Sequence, residues 1–296
     1  MPPIVSMDFI SDLDRITTHR LGQWGYRQQA NDDAADRFWM LMSLTERGIL
    51  PIKAEVHYSA EIQANPKFMT HADVLEEIVQ RLTEGAPMRP YLSKNAIKPR
   101  NPDVLLDHWR IHHLHLNSIR TLDSEGFVAR ADDLLFLKQD GSSVYLLDIV
   151  SHAQKHKFSD PHLLHIIQNN WSQLLPSHAQ VTGDDLTPSE VQRFRKMGVG
   201  VMLNIGGRAV LPEAVMTNGV PVRAFAEYRF IRDILTEYEE GVRKQFYDCF
   251  PRCAAHASLG IRRIFNVILD DIADTHFVLR ERGTGEVAYT SKPPGL

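Results

Sequence analysis

Apolar residues recur at helical spacing in the first third of the chain. From Ala34 to Leu50, the residues Phe38, Trp39, Leu41, Met42 and Leu44 form a stripe that ends at Gly48 or Pro51. A cleaner helix is expected from Thr70 as N-cap, with Asp73 at N3. Its core face is Val74, Leu75, Ile78, Val79 and Leu82, and Gly85 closes it. Pro87, Pro90, Pro99 and Pro102 then break both helix and sheet between Glu84 and Asp103, which marks a boundary.

Beyond that boundary the pattern changes to strand. Trp109–Leu116, Phe127–Leu137 and Ser143–Val150 have strand length and composition, with Asp140-Gly141 as a turn signal between the last two. Ser143–Val150 is almost continuously apolar, as in a strand buried on both faces. A helix follows, capped by Ser159 or Asp160 with Pro161 at N1 and Leu163, Leu164, Ile167 and Trp171 on its core face. Thr187, Pro188 and Glu190 spell a capping box for the next helix. Val199–Ile205 and Ala209–Val215 flank Gly206-Gly207 as a hairpin or tight bend. Arg223–Phe246 is the longest helical pattern. Ile261–Leu269 and His276–Arg282 read as strands, and a hairpin through Gly283 and Gly285 ends the chain.

The sum is an α+β fold. A helical N-terminal segment (1–92) packs on a central antiparallel sheet (93–180) that holds the candidate active site, and a mixed α/β part (181–296) follows. A chain of 296 residues can bury roughly three quarters of its surface, so it needs no disulfide or metal staple. A net charge of −4 gives no global field for nucleic acid or anionic membrane, so any such site must be local. Two cysteines, no leader-like N-terminus and no long apolar run point to a cytoplasmic protein without a membrane partner.

The unusual feature is histidine. Nine of the 14 lie between His108 and His178. Strand alternation puts His113 and His115 on one face and His112 on the other. His152 and His156 follow the strongest strand, beside Lys155 and Lys157. Metal-independent phosphodiester cleavage needs a base, an acid and a cation for the phosphorane charge. His113, His115 and His152 are the expected base and acid. Arg110, Arg130, Lys155, His156 and Lys157 are the expected substrate contacts. A base–acid pair of this kind would hold one neutral and one protonated imidazole near neutral pH. No cofactor is expected. Two alternatives stand beside this reading. One is a metal-dependent hydrolase using His113, His115, Asp148 and His152. The other is a non-catalytic interaction protein whose histidines are structural. There is no Walker loop, no dinucleotide fingerprint, no Gly-x-Ser-x-Gly elbow and no His-Glu-x-x-His.

Three segments carry a resemblance to a known family. They are Trp109-Arg110-Ile111-His112, then Arg130-x-x-Asp133-Leu134-Leu135-Phe136, then Val144-Tyr145-Leu146-Leu147-Asp148-Ile149-Val150-Ser151-His152 with its basic tail to Lys157. In this order they resemble the central sheet of RelE-like bacterial toxins, within the metal-independent ribonucleases that include barnase-like folds. The resemblance covers residues 105–160. It implies a cytoplasmic endoribonuclease, a toxin or phage-defence effector, with RNA as substrate and a protein inhibitor or oligomeric partner. Residues 94–157 depart from that strongly basic family, carrying nine Lys or Arg against eight Asp or Glu, a net charge of +1.

Overall fold

A computed structural model describes residues 3–24, 26, 29, 31–98, 101, 103–175, 177–178, 183–214, 222–260, 264–273 and 276–291. The fold is α+β. It divides into two compact units, Ser43–Val222 and Met1–Met42 with Arg223–Leu296. These limits do not follow the expected boundaries at 92 and 180. The first forty-two residues share a unit with the C-terminal part.

The Ser43–Val222 unit is built on the hairpin of Asp133–Asp140 and Ser143–Ser151, which turns at Gly141 with a φ of 55°. Ile111–His115 pairs antiparallel with the first of these strands, His113 lying opposite Phe136. Glu55–Tyr58 pairs parallel with the second. The strands expected around 109–150 are therefore consecutive and antiparallel, but the fourth makes the sheet mixed. Glu55–Tyr58 falls in the segment read as helical, because four residues are too short to display a period.

Both faces of the hairpin are covered. Leu135, Leu137, Val144 and Leu146 pack with Leu75, Ile78 and Leu82 from the helix Ala72–Glu84. Leu134, Phe136, Leu147 and Val150 pack with Leu163, Leu164 and Ile167 from the helix His162–Trp171. Each such side chain contributes about 1.5–3 kcal/mol when fully buried, which explains the continuous apolar runs.

Several boundaries differ from expectation for local reasons. Residues Val104–Trp109 form a helix, capped by Asp103, whose side chain accepts from the Leu106 N–H at 3.3 Å. Arg110 ends it in the left-handed region at φ 56°, so the strand begins at Ile111. Lys138 Nζ donates to the Trp109 carbonyl at 2.8 Å and satisfies that helix end. The strand expected from Phe127 begins at Asp133. Ahead of it Asp123 accepts from the Glu125 and Phe127 N–H groups and holds a turn through Gly126 at φ 81°. Thr70 is the last residue of a short helix Lys67–Thr70, and His71 is the N-cap of Ala72–Glu84. Pro161 sits at the N-cap of its helix, while Asp160 accepts from the His162 N–H at 2.9 Å. The Thr187–Glu190 capping box forms as expected, and so does the hairpin at Gly206-Gly207, with φ of 60° and 78°.

In the other unit, Ile4–Ser6 pairs parallel with Ile264–Ile272, followed by antiparallel His276–Glu281 and Val287–Ser291. Phe9 and Leu13 from the helix Phe9–Gln23 and Leu235 from the helix Val222–Lys244 pack with Phe265, Leu269 and Phe277. The positions Pro99, Pro102, Val215 and 261–263 named above lie outside the described residues. Among the described residues no helix is long and apolar enough to cross a membrane.

Candidate active site

The edge strand Ile111–His115 sends Ile111, His113 and His115 to one face and His112 and Leu114 to the other. His113 and His115 line a cavity of about 590 Å³. His152 reaches the same cavity from the end of the strand Ser143–Ser151, and Arg130 reaches it from the segment before Asp133. The three histidines expected to carry chemistry are thus brought together with one of the expected substrate contacts.

Hydrogen bonds assign the ring protons. Arg130 Nη2 and Nε donate to His152 Nε2 at 2.8 and 3.2 Å, so that nitrogen accepts and the proton of the neutral ring sits on Nδ1. The Ala131 N–H donates to His115 Nδ1 at 3.3 Å, leaving the proton on Nε2. The His115 and His152 rings lie nearly parallel, 6.2 Å between centroids. His113 packs against the Phe158 ring at 5.0 Å, and its Nδ1 stands 3.9 Å from Asp103 Oδ2.

Enclosure acts on all three rings in one direction. Burial, reinforced by His113, His152 and Arg130, lowers the pKa of His115 to about 4. Burial also lowers that of His113, against the opposing pull of Asp103. His152 is lowered by burial and by the cations of Arg130 and Lys157. All three shifts favour the neutral ring, whereas the expected pair needs one protonated imidazole, and the cations of Arg130 and Lys157 act in the same direction as burial.

The other expected contacts distribute differently. Lys157 Nζ donates to the carbonyls of His152 at 2.6 Å and Gln154 at 3.3 Å, and lies 5.0 Å from the Phe158 ring centroid. His156 turns away, with φ 57° and its Nδ1 2.8 Å from Gln192 Oε1. Lys155 is exposed and does not line the cavity. Arg110 is held by Glu213 at 3.0 Å, with Glu46 at 3.9 Å, and is also absent from the cavity lining. Asp148 does not join the histidines. Its Oδ1 accepts from Asn65 Nδ2 at 2.7 Å, and its Oδ2 lies 3.5 Å from His162 Nε2. Among the described residues no three His, Cys, Asp or Glu side chains are grouped to hold a metal ion, so the four-residue metal set is not assembled.

Sequence reasoning missed the facing wall of the cavity, which carries Ser93, Lys94, Asn95, Asp103 and Asp123. Only Asp103 left a signal, as an N-cap residue ahead of Val104–Trp109. Arg47 shapes this wall. Its guanidinium donates to the carbonyls of Asn95 at 3.1 Å and Lys98 at 2.6 Å, and to that of Asn101. Across the cavity, Arg195 Nη1 donates to the Phe158 carbonyl at 2.7 Å. No protein-family model, curated protein or solved structure matches the chain.

Proposed function

We propose that this cleft cleaves RNA phosphodiesters without metal, by transfer to the neighbouring ribose 2′-oxygen. The observation that carries the reading is the convergence of three imidazoles and the Arg130 guanidinium on one cavity. His113 is the base. With Asp103 on its Nδ1 side, Nε2 is left to take the proton of the 2′-hydroxyl. The 2′-oxygen attacks phosphorus, and Arg130 and the Nε2–H of His115 stabilise the charge that develops on the phosphoryl oxygens. The bond from phosphorus to the 5′-oxygen breaks, that oxygen takes a proton from water, and the hydroxide so formed takes the proton from His113. The products are a 2′,3′-cyclic phosphate and a 5′-hydroxyl, and His113 is left neutral for the next turnover.

The resemblance of residues 105–160 to RelE-like toxins supports the same substrate. It extends the proposal to a cytoplasmic toxin or phage-defence effector kept in check by a protein inhibitor. The test is cleavage of a defined RNA in EDTA. His113→Ala is expected to lower turnover by about 10²–10⁴-fold as loss of the base, and His115→Ala by about 10²–10³-fold as loss of one donor to the developing charge. Wild type that yields no cyclic phosphate with any RNA refutes the reading. A second reading, the non-catalytic interaction protein, draws on the buried and hydrogen-bonded ring of His115. It expects the His115→Ala variant to lose about 1–3 kcal/mol of stability with no activity to lose.

A further inference from the structure

Charge and volume along the cleft bear on the size of its substrate, an inference that rests on the ribonuclease reading. Four charged side chains line the cavity, Lys94, Asp103, Asp123 and Arg130, and their charges sum to zero. Lys94 is already committed, its Nζ 2.7 Å from Asp123 and 3.2 Å from Glu125. Lys157 holds two backbone carbonyls from behind His152. Among the described lining residues, Arg130 is the cation without a carboxylate partner. A groove that follows a single strand needs a succession of cations and stacking rings along its track. Residues 94–157, which supply nearly all of this lining, have nine Lys or Arg against eight Asp or Glu. The cavity of about 590 Å³ falls within the range that encloses one drug-sized ligand. Beside His113, the Phe158 ring offers a surface for one base, and Ser93 and Asn95 offer polar atoms for its edge.

We infer that the cleft engages a single phosphodiester with its two flanking nucleosides, so that its substrate class is dinucleotide-sized and a longer strand gains nothing from the phosphates beyond. The experiment compares kcat/KM per scissile step for a dinucleoside monophosphate and a 20-mer RNA containing the same step, at 50 and 200 mM salt in EDTA. The expected result is equal values within about threefold, each falling only about threefold over that salt range, as one phosphate contact on single-stranded RNA requires. Arg130→Gln should flatten the remaining salt dependence for both substrates. If kcat/KM rises steeply with length and the 20-mer loses about fiftyfold or more between the two salts, four or more phosphates are held. That result overturns this inference and leaves the ribonuclease reading standing. Failure to cleave either substrate overturns both.

Discussion

Replacing Arg47 by Met tests how the facing wall of the cleft is held. Arg47 is 4% exposed, and its guanidinium donates to the carbonyls of Asn95, Lys98 and Asn101. Hydrogen bonds from a charged donor contribute about 1.5–3 kcal/mol each, but three bonds from one group do not add. Removing the guanidinium also removes its own desolvation cost, which lowers the pKa of Arg47 itself. It also removes the positive charge that bears on the carboxylates of Asp107, Asp103 and Glu46. Loss of one partner from a buried ionic group costs about 3–5 kcal/mol, and Met keeps the apolar stem, so that range is the expected destabilisation. The cost should also depend on pH. Burial already raises Asp107 to about 6, with Arg47 opposing the rise and Asp103 and Glu46 adding to it. An acid raised in the folded state binds more protons there than in the unfolded chain, so its contribution to stability falls as pH climbs from about 4 through 6. Without Arg47 the pKa rises further, and the penalty should be larger at pH 7.5 than at pH 5. Urea melts of both proteins at the two pH values measure this. A difference below about 1 kcal/mol at pH 7.5, or a penalty that shrinks with rising pH, would refute the reasoning.

Two further outcomes follow from the same geometry. Turnover should rise with pH through an apparent pKa below the usual histidine value and then stay level across neutrality. The base His113 is lowered by burial, His152 and Lys157 more than Asp103 raises it, and an alkaline limb near pH 7 in a pH–rate profile would count against it. Thr187→Ala removes the hydroxyl that accepts from the Glu190 N–H, leaves the Thr187 N–H that donates to Glu190 Oε2, and should lower stability by about 1 kcal/mol in a denaturant melt with activity retained.

Legibility in the sequence tracked the range of the interaction that decides each feature. The hairpin 133–151 could be read because its strands are buried on both faces and show it residue by residue. The capping box at Thr187 and the left-handed Gly85 are settled within a few residues. Ile4–Ser6 could not be read, since three residues acquire strand geometry only by pairing with Ile264–Ile272. The same division applies to the site. His113 and His115 were legible from alternation, and His152 from its place after a buried strand. Arg110, Lys155 and His156 have the right charge or chemistry in sequence, but a left-handed helix end, an exposed turn and a bond to Gln192 take them elsewhere. Lys94, Asn95 and Asp103 were hidden inside the proline-rich stretch, because only the distant Arg47 makes that stretch a wall.

The two borders of the cleft are held in one way. Arg47 grips the carbonyls of Asn95, Lys98 and Asn101 on one side, and Arg195, from the helix Pro188–Lys196, grips the Phe158 carbonyl on the other. Each is an arginine lowered by burial, so each carries a desolvation cost that its hydrogen bonds to backbone carbonyls must offset. A carbonyl has two lone pairs and a guanidinium five donors, so one arginine can bond several short turns at once. The consequence reaches the histidines. Phe158, fixed by Arg195 through its carbonyl, lies against His113, and Asp103 is two positions beyond Asn101, whose carbonyl Arg47 holds. The enclosure that lowers the pKa of His113 and His115 is thus sustained by groups that touch neither ring. A change at Arg47 or Arg195 should therefore appear in the pH dependence of activity as well as in stability, with the apparent pKa of the base moving back toward the ordinary histidine value as water enters.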